Sequence, residues 1–273
     1  MEIPKKLKIF VGVNTLTSID TEVYGSHSNF WYYNGKTYPD FQFIKFHPRR
    51  LSIDHMRNKS AELALAHECD YLMFVDDDVI IEKDTLTTLL SADKDVVMGL
   101  TYIRGYPFNP MLFKSVLNKK GVQILDHYHD FANNVVDGLV ECAAVGFSCV
   151  LIKCDLLKKV RPPYFITGTH HTEDIYFCVK AKREVDGVSI FTDVRCPTQH
   201  LLDKQAVGPK TVEALRGYYE ALGFKKEDHD IMLEMKGLEA ALNQFEVQQD
   251  DAIEIPEPLL HIIGAIDNEW TQH

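Results

Sequence analysis

Residues 70–81 constrain this chain more than any other stretch. An apolar run, Tyr71-Leu72-Met73-Phe74-Val75, ends in three consecutive carboxylates, Asp76, Asp77 and Asp78, and turns apolar again at Val79-Ile80-Ile81. Five apolar residues without polar alternation suit a central strand covered on both faces. Three acids at the end of such a strand repel one another and resist leaving water. A hard cation among them relieves that cost, because Mg²⁺ and Mn²⁺ favour carboxylate oxygens. In open α/β sheets ligands bind beyond the carboxyl ends of the strands, which is where these acids fall. The plain alternative is a solvated turn whose acids cap the next helix.

The segments around this run set its context. Residues 7–13 read as a first strand, followed by the polar pair Asn14 and Thr15. Residues 24–40, rich in Tyr, Asn and Gly, read as a loop packed down by Trp31, Tyr32 and Tyr33, and 41–46 alternate as a second strand. Ile53, Met56, Ser60, Leu63, Ala64 and His67 fall at helical spacing behind Ser52 as N-cap, with Arg57 and Asn58 off that stripe. A helix from about Asp84 turns Leu86, Leu89 and Leu90 inward, and 95–103 form another strand. Strand, helix, strand, helix, strand points to a parallel α/β sheet. Residues 104–110 are turn-rich, and 111–125 read as a hairpin about 118–121, so the sheet becomes mixed. Residues 139–152 read as one apolar strand interrupted by Gly146, where a glycine marks a bend or the close approach of a ligand. Thr172 opens a helix with Glu173 and Asp174 at its positive end. A strand at 188–194, a loop at 195–200 and helix from about Pro209 follow.

Composition narrows the class. The 273 residues carry 45% hydrophobic and 25% charged side chains, ordinary for a globular protein. A net charge of −11 argues against a surface that grips nucleic acid along its length. No apolar run approaches the ~20 residues that cross a bilayer, and the first residues lack a signal-peptide core. Six cysteines lie scattered, with Cys142, Cys149 and Cys178 inside apolar runs, and read as buried thiols of a cytoplasmic protein. His127 and His129 flank Tyr128 and share one strand face, but with no third ligand in view they read as a solvated loop.

Four elements recur in a telling order: the acidic triplet, the segment Ala143-Ala144-Val145-Gly146-Phe147-Ser148, the pair Glu173-Asp174 opening a helix, and His200 after the next strand. This order resembles glycosyltransferases of the GT-A fold, close to the family-2 type, over about residues 7–202. The triplet is similar to that family's DxD motif, residues 52–58 to the segment preceding it, Ala143–Ser148 to the donor-sugar loop, and 173–178 to its ED motif. The resemblance implies an α/β GT-A (nucleotide-diphospho-sugar transferase) fold with a mixed, mostly parallel central sheet flanked by helices. It implies a catalytic domain over 1–205, leaving 206–273 as a helical C-terminal extension with an acidic tail that could pair copies of the chain. It implies a metal-dependent transfer from a nucleoside-diphosphate sugar, a UDP-sugar first, to an acceptor hydroxyl with inversion. Asn14, Thr15, Arg57, Asp76, Asp77 and Gly146 would then contact the donor, and Asp78, Asp76 and His200 would hold Mn²⁺ or Mg²⁺. Asp174 would be the general base, with Glu173 orienting the acceptor or sharing the role. The acceptor itself stays open among glycan, protein, small molecule and modified nucleic acid.

Two rivals stand beside this reading. Phe74–Val79 is also similar to the first motif of haloacid-dehalogenase phosphatases, which usually sits on the first strand; here it follows the third. A binding protein on the same fold would hold donor and metal without transfer.

Overall fold

The computed structural model describes residues 3–15, 18–118, 121, 123–169, 171–202, 205–221 and 233–234. Strand β1 (Lys8–Gly12) leads into helix α1 (Thr21–Thr37), strand β2 (Gln42–Phe46), helix α2 (Ile53–Ala66) and strand β3 (Tyr71–Val75). Short β4 (Val79–Ile80), α3 (Thr85–Ala92) and β5 (Val96–Leu100) follow, then the hairpin of β6 (Leu112–Leu117) and β7 (Gln123–His127). Next come β8 (Leu139–Glu141), β9 (Ala144–Val145), β10 (Cys149–Lys153), α4 (Cys154–Leu157) and α5 (Glu173–Glu184). The described chain finishes with β11 (Ile190–Pro197), β12 (Gln199–Leu202), β13 (Gln205–Val207), α6 (Val212–Ala221) and β14 (Leu233–Glu234).

Seven strands make the central sheet, in the order β2-β1-β3-β10-β5-β11-β8. β2, β1 and β3 run parallel, as do β5 and β11, while β10 and β8 oppose their neighbours. The expected mixed, mostly parallel sheet is present. Ile9, Val11, Met73, Val75, Val97 and Leu151 share one core with Phe30 of α1 and with Leu86, Leu89 and Leu90 of α3. The alternate residues Phe10, Leu72, Phe74, Val150 and Ile152 are as deeply buried. On that side α2 and α4 pack on the sheet. There the rings of Phe74, Phe147, Phe165 and Phe177 form a cluster with centroids 5.0–6.4 Å apart. Burial of both faces is why the strands read as unbroken apolar runs. All six cysteines are buried thiols. Among the described residues no helix is long and apolar enough to cross a membrane.

Three expectations are corrected. Residues 24–40 are not a loop: α1 fills most of the span, with Asp20 accepting the Glu22 backbone N–H at 2.9 Å as its N-cap. Its buried face, Val23, His27, Phe30 and Asn34, has helical spacing, but half of it is polar, so no apolar stripe shows in the sequence. Both polar side chains have partners, His27 Nε2 donating to the Val79 carbonyl (3.0 Å) and Asn34 Nδ2 to those of Phe30 and Lys83 (2.8 and 3.1 Å). Second, residues 139–152 are three short strands, with β8 and β10 in the large sheet and β9 against β6 in another. Third, His200 is in β12 and not in a loop, because β11 runs on to Pro197 and β12 begins at Gln199. Of the expected C-terminal extension only the end of β13, residues 208–211, α6 and β14 are described; the tail and its expected contact between copies lie outside the described residues.

Candidate functional site

The site forms where β1 and β3 end. These strands pair in parallel with Gly12 opposite Phe74, so Asn14 and Asp76 emerge level with each other just past the sheet. The Asp76 backbone N–H donates to the Ser148 carbonyl (2.9 Å), which ties the triplet to the segment entering β10. Beyond the triplet, β4 pairs antiparallel with β12, with Val79 opposite His200, and this brings the imidazole to Asp78. His27, on the helix the sequence conceals, supports β4 from beneath through the Val79 carbonyl.

Arg57 joins the motifs. Expected near a phosphate or base, it is 2% exposed and lies behind the acids. Its Nε donates to Glu173 Oε1 (2.9 Å), its Nη1 to the Phe147 carbonyl (3.0 Å), and its Nη2 faces both oxygens of Asp76 at 3.4–3.5 Å. The guanidinium also lies over the rings of Phe74 and Phe147, at 4.9 and 5.5 Å from their centroids. One buried cation therefore holds together the triplet, the turn after Gly146 and the acidic start of α5.

Asp174 is buried and fastens the same turn, accepting from the Phe147 backbone N–H (3.3 Å) and the Ile175 N–H (2.8 Å). The Thr172 hydroxyl also bonds it, so Thr172 precedes the helix without a side-chain bond to its backbone. Glu173 is pushed up to about 7 by burial, then by the charge of Asp174, against the opposing pull of Arg57. Gly146 has a reason inside the protein: a Cβ there would lie 2.3 Å from Met111 Cε and 3.1 Å from Met111 Cβ.

Asp76, Asp77 and Asp78 all keep partial access to solvent. Burial raises the pKa of Asp76, and Asp78 adds to this against the pull of Arg57. At Asp78 burial is outweighed by the hydrogen bond and charge of His200 and by Arg104, so its pKa falls. His200 Nδ1 donates to the Tyr102 carbonyl (3.1 Å), an acceptor only, which turns Nε2 toward Asp78 Oδ1 at 3.3 Å. Burial works to lower the His200 pKa, but the hydrogen bond and charge of Asp78 prevail and raise it. A ring nitrogen facing a carboxylate oxygen needs a cation or proton between them. Asp78, His200 and Asp76 therefore offer the oxygen and imidazole donors that suit Mn²⁺ or Mg²⁺, with a carbonyl fixing the imidazole from behind. Among the described residues no three His, Cys, Asp or Glu side chains are already drawn into a metal cluster.

Asn14 supplies an independent sign of a ligand. It is 3% exposed, and neither Nδ2 nor Oδ1 completes a hydrogen bond within the protein. Asp76 is within its reach, and hydrogen bonding from the Asn14 amide lowers that residue's pKa although the contact falls outside ordinary hydrogen-bond geometry. Buried amides are rarely left so without a role. Thr15 beside it is buried, its hydroxyl on the Val13 carbonyl (3.3 Å). His127 is also buried, on β7, with Nδ1 donating to the Pro110 carbonyl (2.9 Å) and the His129 ring 6.0 Å away. The solvated-loop reading fails for His127.

Arg104 was missed. Its Nη1 lies 2.5 Å from Asp78 Oδ2, with the arginine side chain 57% exposed. The available signal was its position, a basic residue in the turn after β5, on the carboxyl edge of the sheet.

No family model matches the chain, and no curated protein matches it. Solved structures do. A197 from STIV superposes on 75% of this chain and 91% of its own, with a TM-score of 0.50 and 19% identity. GalNAc-T7, crystallised with UDP, GalNAc and Mn²⁺, covers 72% of this chain with a TM-score of 0.50 and 11% identity, and the match spans 45% of that protein. A 4-diphosphocytidyl-2C-methyl-D-erythritolsynthase from Anaerococcus prevotii matches more loosely, at 0.40 and 7% identity over 78% of this chain. At these identities the likeness is one of fold: the chain has a GT-A-like nucleotide-diphospho-sugar transferase fold.

Proposed function

We propose that the chain is a glycosyltransferase that moves a sugar from a nucleoside-diphosphate sugar, UDP-linked first among candidates, to an acceptor hydroxyl with inversion. The observation that supports this reading most is the convergence on Arg57 of the triplet, the Phe147 turn and the start of α5, which lie up to 116 residues from it in sequence. A structural helix cap or solvated turn needs no such meeting.

In this reading Asn14 and Thr15 meet the base or ribose, Asp76 the ribose, and the Gly146–Phe147 turn the donor sugar. Asp78 and His200, with Asp76, would hold Mn²⁺ or Mg²⁺. Such an ion, when bound, supplies Lewis-acid stabilisation of the departing diphosphate. The proton of the acceptor hydroxyl passes to the pair opening α5. Asp174 is the base the motif assigns, and Glu173, pushed up to about 7, accepts a proton near neutral pH and shares the role. Arg57 acts by fixing Glu173 directly and Asp174 through the Phe147 turn. The GalNAc-T7 likeness supports the donor class through its fold, in a protein crystallised with UDP and Mn²⁺.

The test is a thermal-shift panel of UDP, GDP and dTDP, each with and without Mn²⁺ or Mg²⁺. A ligand at 100 times its Kd stabilises by about 2.7 kcal/mol, which raises Tm by roughly 5–11 °C in a chain of this size. Metal-dependent stabilisation by one nucleotide is expected and names the donor class. No stabilisation by any of them sinks the reading.

A further inference from the structure

We propose that Arg104 is a diphosphate-binding residue parked on Asp78: it neutralises that carboxylate until a divalent cation takes its place, and the released guanidinium then pairs with the diphosphate of the donor. The inference rests on the nucleoside-diphosphate reading and goes beyond it by naming a phosphate contact and an order of binding.

The geometry sets up the exchange. Arg104 sits in the loop from β5 to β6, and the backbone of that loop is pinned. Ile103 N–H donates to the Asn109 carbonyl (2.9 Å), Phe108 N–H to Gly105 (2.7 Å) and Met111 N–H to Thr101 (2.9 Å). From α6, Arg216 clamps the same loop, donating to the carbonyls of Pro107 (2.8 Å) and Phe108 (3.0 Å). The moving part is then the Arg104 side chain, and a change of rotamer suffices to swing its head. Its ion pair with Asp78 is open to water, and pairs of that kind are weak enough for a divalent ion to displace.

The charge balance says where the guanidinium goes. Asp76, Asp77, Asp78, Glu173 and Asp174 crowd one end of the sheet. Asn14, 3% exposed and held within the protein by no more than a poorly formed contact to Asp76, marks this end as a candidate ligand site. A diphosphate entering here adds negative charge. Arg57 is 2% exposed and holds Glu173, Phe147 and Asp76, so its donors are committed to the protein. Arg104 engages Asp78 through Nη1, one of the five N–H donors that a guanidinium carries in a fork matched to phosphate oxygens. Asp78 would be among the residues that hold the ion, and Arg104 contacts that same carboxylate. Metal alone must break the Arg104–Asp78 pair; metal with nucleotide regains that contact on phosphate. The two therefore bind cooperatively.

Isothermal titration of wild type, Arg104→Ala and Arg104→Lys tests this, first with Mn²⁺ alone and then, at saturating Mn²⁺, with UDP, GDP and dTDP. Arg104→Ala is expected to bind Mn²⁺ alone about two- to five-fold tighter. It is expected to bind the preferred nucleotide roughly ten-fold more weakly. The lysine variant should fall between, keeping the charge without the fork. Nucleotide affinity equal to wild type in the alanine variant, or Mn²⁺ binding no tighter, overturns the proposal while leaving the donor reading intact. A wild type that binds none of the nucleotides with Mn²⁺ refutes the donor reading and this proposal with it.

Discussion

Replacing Arg57 by Ala removes the one cation shared by the acidic motifs. The arginine side chain is 3% exposed and that of Glu173 7%, so the loss leaves a buried carboxylate unpaired and the Phe147 carbonyl without its donor. Breaking a buried pair from one side costs about 3–5 kcal/mol, which lowers Tm by roughly 6–20 °C in a chain of this size. The loss should depend on pH with a definite sign. The folded pKa of Glu173, raised by burial first and Asp174 second to about 7, lies above its ordinary 4.5. A raised carboxyl pKa means that the folded state holds the proton more tightly. Its stabilising effect is complete below pH 4.5 and is lost as pH rises through about 7. Without Arg57 the folded value climbs further, so the deficit of the variant widens between about pH 5 and pH 8. At pH 5 Glu173 is already protonated, and the deficit shrinks to about 1–3 kcal/mol for unpaired neutral groups. Chemical and thermal unfolding of both proteins at pH 5 and pH 8 measures this directly. An unchanged Tm at pH 8, or equal losses at the two pH values, would refute the view that Arg57 holds ionised acids together.

Three further substitutions address the parts of the site separately. Asn14→Leu removes a buried amide whose one contact, to Asp76, is poorly formed, so Tm without ligand should change little while nucleotide-dependent stabilisation disappears; a fall of several degrees would mean that this contact holds the fold. Gly146→Val drives a side chain into Met111 and should cost about 1–3 kcal/mol by overpacking, read as a lower urea midpoint with unchanged slope; wild-type stability would remove Met111 as the reason for the glycine. Asp174→Asn keeps one acceptor oxygen for the Phe147 N–H, gives up that for the Ile175 N–H and has no base, so nucleotide binding by calorimetry should persist while sugar transfer falls about 10²–10⁴-fold; unchanged turnover removes Asp174 from the mechanism.

The central strands were legible because both faces are buried, which leaves unbroken apolar runs such as Tyr71–Val75. The meeting of Asp76, Phe147 and Glu173 was legible only as an order of motifs; no local pattern says that a guanidinium joins them. Arg57 reads as an off-stripe residue free to contact the donor, because periodicity locates apolar neighbours and is blind to a buried ion pair. Helix α1 escaped because His27 and Asn34 occupy core positions, where two carbonyls from the β4 region make them tolerable. His200 was assigned to a loop because the strand break at Thr198 is one residue long, too short to register in composition. Arg104 carried no signal beyond its place after a strand, since its partner Asp78 is 26 residues away.

The position of β10 has a consequence for how the molecule comes into being. It bonds β3 along one edge and β5 along the other, so the first three strands and the later ones join through residues 149–153. A nascent chain that has reached Leu100 therefore holds the three-stranded group β2-β1-β3 and a lone β5, with the edges of β3 and β5 waiting for a shared partner some fifty residues downstream. Pairing at that sequence separation is a slow step, and open edges invite association with other chains meanwhile. Because Ser148 also holds the Asp76 backbone, the strand that closes the sheet is the same one that sets the acidic triplet in place.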